Sequence, residues 1–419
     1  MHSLLEDASS IETNQTAGAV SHLRWVLDHI RSTLDMDVVF ISRFRGGKRE
    51  IDHVSMSPSV AEFRIEPGMT SPLEQSLCWR IAKGKLPTVM HNTRRTDGAK
   101  DIAAVHVLGV GGHLGVPIQD ANRETVGMLC CFSQQERPEL TEKHAQFMGH
   151  FSALVSIDLN ILDESRRHFD KRTAELRAVI ETGQFSPVFQ PVFDLQNASI
   201  HYLEGLTRMS PNLGANVTTV LDLARAHDMG FEMELAFAER IMQAAAQEAG
   251  EMRVGVNLSE KALMSDEFLR FLARHDHRGT VLELTEHEPV LNESRLLERV
   301  AQARRHGAKL ALDDTGGGFS SLHNILALRP DILKIDKSIA EDIETDRLVS
   351  HLIRHLHGYC SEVGAELVVE GVERPGQLAT LHKIGVRFAQ GYLLGRPTAQ
   401  LDRETSEVTG AQVLRRAVS

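Results

Sequence analysis

The feature that most limits how this chain can fold is a repeated alternation of short strands and longer helices. From Gln184 to the C-terminus, eight strand-like runs alternate with helical patterns. Strands that alternate with helices pair in parallel, and eight such units close into a (β/α)8 barrel. We therefore predict an α/β fold whose C-terminal half is a TIM-like barrel. The runs are residues 187–193, 200–206, 253–258, 280–284, 309–312, 332–335, 366–369 and 387–390.

Each run also carries, at its end or beside it, a polar side chain that a buried strand does not need. In a barrel such positions gather at one rim, where the fold builds its active sites. A single member of the set, such as Gln190, can be a satisfied buried polar group. Several carboxylates that converge without partners repel one another and shift one another's pKa values, so the whole set predicts a functional site. Its members are Gln190, Glu204, Asn257, Glu283, Asp313 with Asp314, Lys334, Glu370 and Gln390.

The ligand types in this set indicate which metal it suits. Four side chains of this set are considered as metal ligands, and all four are oxygen donors, with no thiolate and no ligating histidine pair among them. Oxygen ligands suit Mg²⁺ or Mn²⁺ rather than Zn²⁺. The four oxygen donors are Glu204, Asn257, Glu283 and Asp313.

The adjacent carboxylates Asp313 and Asp314 predict a pair of ions. One carboxylate can bridge two ions about 3.5 to 4 Å apart, the arrangement used for in-line phosphoryl displacement. Lys334 supplies a cation near the attacking water, and Arg208, four residues after Glu204, can meet a phosphate. Phosphodiester hydrolysis is the reaction that these groups serve best.

This half of the chain resembles the EAL domain, a bacterial phosphodiesterase family that opens cyclic di-GMP to the linear dinucleotide pGpG. The resemblance extends over residues 184–400. It rests on Phe189-Gln-Pro-Val192, Leu203-Glu-Gly-Leu-Thr-Arg208, Val256-Asn-Leu-Ser259, Leu282-Glu-Leu-Thr-Glu286, Leu312-Asp-Asp314, Ser320-Ser-Leu322, Leu333-Lys-Ile-Asp336, Val369-Glu-Gly-Val-Glu373, Gln390-Gly-Tyr392 and Gly395-Arg-Pro397.

The resemblance implies a role for each side chain of the rim. The ligands of a first ion would be Glu204, Asn257, Glu283 and Asp313. The ligands of a second ion would be Asp313 and Asp314, with help from Glu370.

Other side chains would act on the water and the substrate. Lys334 would orient or deprotonate the attacking water, and Glu286 would anchor the loop after Asp314. The family barrel also has one early strand reversed. The implied substrate-binding residues are Gln190, Arg208, Asp336 and Gln390, with Asp336 fixing a loop or binding guanine and Gln390 supporting the hydrated site.

Three positions depart from the family pattern. The sequence reads Glu204-Gly-Leu206 where the family has Glu-Ala-Leu, and Val369 replaces the usual Ala before Glu370. The loop after Asp314 is Thr315-Gly-Gly-Gly318, and consecutive glycines raise the entropy lost when a loop orders. The altered loop keeps a second hypothesis open, a catalytically silent cyclic di-GMP receptor that signals by conformational change. A barrel acting on another phosphodiester is a third.

The N-terminal half predicts a small α+β domain of about 140 residues. An amphipathic helix from Val20 precedes a hairpin over 38–44 and 51–56, and a second hairpin joins 113–118 to 125–132. This half resembles a GAF domain, a sensor that holds a small ligand or mediates dimerisation. The resemblance rests on Leu73-Glu-Gln-Ser-Leu-Cys78, Leu86-Pro87, His113-Leu-Gly-Val-Pro-Ile118 and Val126-Gly-Met-Leu-Cys130, which do not name a ligand.

The predicted boundaries follow these patterns. We expect a flexible tail over 1–17, a GAF-like sensor domain over 18–160, a helical connector over 161–183, an EAL-type barrel over 184–405 and a C-terminal tail over 406–419. The thin apolar stripe of the connector fits a helix paired with a second copy, and equally a solvated helix within one subunit. The family resemblance favours a homodimer.

Net charge, cysteine spacing and hydropathy limit the partners that the protein can bind and the compartment in which it can act. The net charge is −11 and the chain has no basic run, which argues against binding to a DNA or RNA polymer. The four cysteines lack paired metal-ligand spacing, so we expect buried, reduced thiols. No apolar run approaches the ~20 residues of a membrane span, and the N-terminus is unlike a signal peptide. We expect a cytoplasmic protein without membrane insertion.

Overall fold

A computed structural model describes residues 9–60, 65–248, 252–274, 277–285, 293–315, 319–400 and 403–418. The chain forms two compact units, one ending at Asp170 and the other beginning at Lys171. Among the described residues, no helix combines the length and the apolar composition needed to span a membrane.

The first unit is built on a six-stranded sheet in which every described pairing is antiparallel, with the strand order β3-β2-β1-β6-β5-β4. Both predicted hairpins are confirmed as the pairs β1–β2 and β5–β6. The strands are β1 Val38–Arg45, β2 Lys48–Met56, β3 Thr70–Pro72, β4 Val89–Met90, β5 His113–Gln119 and β6 Thr125–Phe132. The helices are α1 Ser9–Thr33, α2 Leu77–Ala82, α3 Ala103–Val107 and α4 Glu142–Thr182, and α4 contains the boundary between the units.

The two faces of this sheet carry separate apolar cores. Strand side chains alternate between faces, so Cys131 packs with Leu27 of α1 and Met148 of α4, whereas its neighbour Cys130 packs with Cys78 of α2 on the other side. All four cysteines are buried and none forms a disulfide. The prediction of buried, reduced thiols is confirmed.

Helix α1 extends into the segment predicted as an N-terminal tail. Residues 9–17 belong to this helix, and residues 1–8 lie outside the described part of the chain. The predicted connector likewise belongs to the longer helix α4, which begins at Glu142.

The second unit is a closed eight-stranded barrel with the order β10-β11-β12-β13-β14-β7-β8-β9. β7 is antiparallel to both of its neighbours, which confirms the reversed strand implied by the family resemblance. The strands are β7 Phe185–Asp194, β8 Ser199–Met209, β9 Val254–Leu258, β10 Thr280–Thr285, β11 Lys309–Thr315, β12 Ile332–Ile335, β13 Glu366–Val369 and β14 Phe388–Gln390.

Apolar side chains fill the barrel, and helices surround it. The barrel interior holds a cluster of Val192, Tyr202, Val281, Ala311, Ile332, Val368 and Phe388, while the outer strand faces pack against the helices. The helices are α5 Val217–Ala226, α6 Gly230–Glu248, α7 Glu260–Met264, α8 Asp266–Arg274, α9 Glu293–Arg305, α10 Phe319–Leu328, α11 Lys337–Ala340, α12 Arg347–Val363, α13 Pro375–Ile384 and α14 Arg403–Val418.

Helix α14 occupies most of the segment predicted as a C-terminal tail. It extends over residues 403–418. Val413 and Leu414 pack against the outer core of the barrel, and a Cβ on Gly410 would stand 2.3 Å from Cζ of Phe193 on β7. This close contact places α14 within the second unit rather than beyond it.

Candidate active site

The described polar side chains predicted at the strand ends point into the barrel. On each forward strand the polar residue stands two positions after an inward apolar or small residue, which keeps it on the same face. On the reversed strand β7 the order is inverted, with Gln190 two positions before Val192.

Strand registers sort these side chains into two layers of four, each drawn from alternate strands. The members of the deeper layer are Glu204, Glu283, Lys334 and Gln390, and all are buried. The members of the layer nearer the rim are Gln190, Asn257, Asp313 and Glu370. Asp314 lies on β11, but its side chain is outside the described part of the chain.

Lys334 stands at the centre of the two layers and is completely buried. Its Nζ lies 2.6 Å from Glu283 Oε2 and 2.6 Å from Glu370 Oε1. The same nitrogen lies 3.3 Å from Asp313 Oδ1 and 3.6 Å from Glu204 Oε2. One ammonium therefore faces four carboxylates in a water-poor interior.

Side-chain amides hold Glu204 from two sides. Asn257 Nδ2 donates to Glu204 Oε1 at 3.2 Å, and Gln390 Nε2 donates to Glu204 Oε2 at 2.7 Å. Gln190 is buried in the rim layer, but its Nε2 donates to the carbonyl oxygen of Gly395 at 3.2 Å. The two amides next to Glu204 thus orient a carboxylate, whereas Gln190 ties β7 to the chain that follows β14.

Burial and mutual repulsion shift the pKa values of this cluster. Burial raises the pKa of Glu283 well above its usual range, and the neighbouring Glu204 and Asp313 raise it further. Burial also raises the pKa of Glu370, to about 8. Burial lowers the pKa of Lys334, but the four carboxylates outweigh it and hold that pKa well above its usual value. Lys334 is therefore an ammonium at neutral pH.

The geometry fits a divalent metal ion. One oxygen from each of Glu204, Glu283 and Asp313 lies within 4.8 Å of the other two. Within the described residues, Glu283 Oε1 is buried without a hydrogen-bond partner. An all-oxygen donor set suits Mg²⁺ or Mn²⁺.

Comparison with known families agrees with this site. The EAL domain matches residues 173–397, more than half of the chain. The chain belongs to the EAL domain family. A GAF domain matches residues 21–159, so both resemblances seen in the sequence are confirmed.

The EAL domain has relatives among characterised proteins. It is similar to "Probable cyclic di-GMP phosphodiesterase PdeG" of Escherichia coli K12, with 28% identity over 251 residues that cover 56% of this chain and 50% of PdeG. "Cyclic di-GMP phosphodiesterase NbdA" of Pseudomonas aeruginosa is 30% identical over 235 residues, which cover 53% of this chain and 30% of NbdA. The chain thus spans half or less of the length of these curated relatives.

Solved EAL domain structures share the fold. The Xanthomonas citri FimX EAL domain, solved in complex with c-diGMP, has a TM-score of 0.51 and 18% identity, covering 57% of this chain and 99% of FimX. "EAL Enzyme Bd1971", solved in a cAMP and cyclic-di-GMP bound form, has a TM-score of 0.51 and 16% identity, covering 90% of this chain and 93% of Bd1971. These likenesses establish the fold.

Two further predicted residues of the EAL domain, Arg208 and Asp336, lie outside the two layers. Arg208 is exposed on β8, on the same side of the strand as Glu204, and its Nη1 donates to the Thr207 carbonyl oxygen at 3.0 Å. Asp336 caps α11, where it accepts a hydrogen bond from the Ser338 backbone N–H at 2.8 Å, so its side chain fixes this loop. Glu286 lies outside the described residues.

Gly205 explains why the name-giving alanine of the EAL domain is absent. A Cβ on residue 205 would stand 2.1 Å from Cγ2 of Ile241 on α6 and 2.9 Å from the Gly255 carbonyl oxygen. The β-branched Ile241 therefore fills the volume of the missing methyl group, and the loss leaves Glu204 in place.

Sequence reasoning missed Tyr202 and Gly255. Tyr202 is fully buried two residues before Glu204, and Gly255 stands two residues before Asn257 on the adjacent strand. Alternation along β8 was the available signal, because it puts Tyr202 on the same inward face as Glu204. A tyrosine in an otherwise apolar strand interior places a hydroxyl beneath the carboxylates.

Proposed function

We propose that this chain is a cyclic di-GMP phosphodiesterase that hydrolyses cyclic di-GMP to linear pGpG with two Mg²⁺ or Mn²⁺ ions. The carrying observation is the pair of inward layers, in which four carboxylates converge on the buried Lys334. Burying four carboxylates with only one ammonium costs free energy, so the arrangement favours the binding of further cations. The names of PdeG and NbdA support the same substrate.

The ligands would divide between two ions. Glu204, Asn257, Glu283 and Asp313 would hold the first, and Asp313 and Asp314, with help from Glu370, would hold the second. Bound divalent ions would supply Lewis-acid charge to a phosphodiester. The hydrogen bonds from Asn257 and Gln390 hold Glu204 in a fixed orientation, as expected of groups that surround a metal ligand.

Lys334 would orient or deprotonate the attacking water. In its protonated form, the buried Nζ donates hydrogen bonds and accepts none. Glu370 Oε1 lies 2.6 Å from this nitrogen, so the two groups would act on the water together. Arg208, exposed at the rim, would meet a phosphate of the substrate.

Turnover of cyclic di-GMP by the purified chain tests the proposal. We expect pGpG with Mg²⁺ or Mn²⁺, none with EDTA, and none from a Glu204→Ala variant. Glu298→Ala, which changes an exposed glutamate on α9, serves as the matched control and should retain wild-type turnover. Tight nucleotide binding with no turnover in any metal would instead identify a silent receptor, and turnover of other phosphodiesters only would identify a different substrate.

We further propose that the GAF domain regulates the barrel and that the protein acts as a homodimer. α4 joins the two units through one continuous helix, which supports a regulatory connection. Removal of residues 1–160 should change the turnover rate. Equal rates for the full chain and the shortened chain would argue against regulation, and a monomeric mass by analytical ultracentrifugation would argue against the dimer.

A further inference from the structure

Four buried polar atoms near the barrel centre lack hydrogen-bond partners within the described residues: the Tyr202 hydroxyl, Glu283 Oε1, Glu370 Oε1 and Gln390 Oε1. The first two lie against the same glycine. Both residues are 0% exposed. Buried polar groups in folded proteins are nearly always paired, so two unpaired groups close together indicate an interaction between them. One of the two atoms is a donor and the other is an acceptor.

Gly255 brings these two groups together. A Cβ on Gly255 would stand 2.1 Å from Glu283 Oε1 and 3.2 Å from Tyr202 Cε2. The carboxylate oxygen and the tyrosine ring edge therefore lie against the same glycine. In the layer between Tyr202 and the carboxylates, Gly255 and Ala311 are the small members, and this leaves room for the ring to rise toward Glu283.

The two carboxylates of the deeper layer are held differently. Glu204 has Asn257 and Gln390 as donors to its two oxygens. Glu283 has Lys334 at Oε2, 2.6 Å away, and in the described part of the chain no hydrogen-bond donor at Oε1. Gln390 donates a hydrogen bond to Glu204, and the neighbouring Tyr202 hydroxyl can donate one to Glu283 in the same way.

We propose that Tyr202 is a positioning residue, whose hydroxyl hydrogen-bonds to Glu283 Oε1, directly or through one water, and orients that carboxylate as a metal ligand. The inference rests on the proposed metal-dependent function. Outer groups that hydrogen-bond to metal ligands typically contribute about 10- to 100-fold to metal affinity. Tyr202 would therefore strengthen ion binding without contacting the ion or the substrate.

Tyr202→Phe tests this role because it keeps the ring and removes only the oxygen atom. The measurement is the dissociation constant of Mn²⁺ for the full chain without nucleotide. It is obtained by titration, with the electron paramagnetic resonance signal of free Mn²⁺ as the readout. We expect about 10-fold weaker binding or more in Tyr202→Phe. Tyr359→Phe, which removes a half-buried hydroxyl on α12 at a distance from the two layers, should bind Mn²⁺ like the wild type.

The outcomes separate this inference from the proposed function. Weaker Mn²⁺ binding in Tyr202→Phe, with turnover restored at saturating Mn²⁺, supports the positioning role. Equal Mn²⁺ affinity in Tyr202→Phe and wild type overturns it and leaves the proposed function standing. A lower melting temperature in EDTA with unchanged Mn²⁺ affinity also overturns it, because the hydroxyl would then serve folding alone. A wild-type chain that binds no Mn²⁺ overturns the proposed function and the inference together.

Discussion

Replacing Lys334 by Met should make the stability of the barrel strongly dependent on divalent ions. Among the described residues, Lys334 is the ammonium that faces the four carboxylates, and it is fully buried. Removing one partner of a buried ion pair costs about 3–5 kcal/mol. For a unit of this size each kcal/mol corresponds to roughly 2–4 °C, so the melting temperature in EDTA should fall by about 6–20 °C.

Mn²⁺ should reverse much of this loss. A ligand that binds only the folded state stabilises it in proportion to the logarithm of its concentration over its dissociation constant. In Lys334→Met the carboxylates are left without their cation, so they should gain more from Mn²⁺ than the wild-type cluster does. Thermal unfolding followed by circular dichroism, in EDTA and in Mn²⁺, measures both effects.

Lys337→Met is the matched control for this experiment. Lys337 lies three residues further on, is exposed, and pairs with Glu373 at 2.6 Å. Such surface pairs contribute little to stability, so the melting temperature should change by a few degrees at most. The described electrostatics of the two layers are wrong if Lys334→Met has the same melting temperature as the wild type in EDTA. They are also wrong if Mn²⁺ raises the melting temperature of Lys334→Met no more than that of the wild type.

Three further predictions concern packing, pH and the thiols. Gly205→Ala should destabilise the barrel by about 1–3 kcal/mol through overpacking, and adding Ile241→Ala should recover part of that loss; additive losses in urea unfolding would contradict the contact. Burial raises the pKa of Glu366, but hydrogen bonds from His201 and Lys309 outweigh it and lower that pKa to about 2. Its stabilisation is thus present above the unfolded pKa, about 4.3, and is lost as pH falls toward 2, so Glu366→Gln should cost more stability at pH 7 than at pH 3; equal costs would refute this. The four buried cysteines should resist a thiol reagent in the native protein and react after unfolding in guanidinium chloride, and rapid native labelling would contradict their burial.

Much of the barrel could be predicted because the same residues serve local structure and the site. Apolar runs that alternate with helices identified all eight strands, and the residues 332–335 and 366–369 coincide with β12 and β13. The polar residues stood out because an apolar strand does not need them. Their common inward direction then follows from the alternation of side chains along a strand.

The depth of each side chain could not be read from the chain, because it depends on strand register. Glu204 and Asn257 occupy equivalent positions on adjacent strands, yet Glu204 pairs with Gly255 and lies one layer deeper. Register is set by contacts between strands that are distant in sequence. For the same reason, the contact of Tyr202 with Gly255 and the fit of Ile241 against Gly205 appear only in three dimensions.

The charge of the two layers links ion binding to substrate binding. When ionised, four carboxylates and one ammonium leave an excess of three negative charges facing the rim. Asp314, the further carboxylate proposed for the second ion, would raise this excess to four. One divalent ion would then leave a net negative charge, which repels a phosphodiester, whereas two would leave the site neutral. The proposed second ion would therefore bear on substrate affinity as well as on turnover. The measurement is the affinity of the wild-type chain for cyclic di-GMP at increasing Mn²⁺ concentration. An affinity that rises with Mn²⁺ would support binding of the second ion despite the altered Thr315–Gly318 loop, and an affinity that does not change with Mn²⁺ would contradict it.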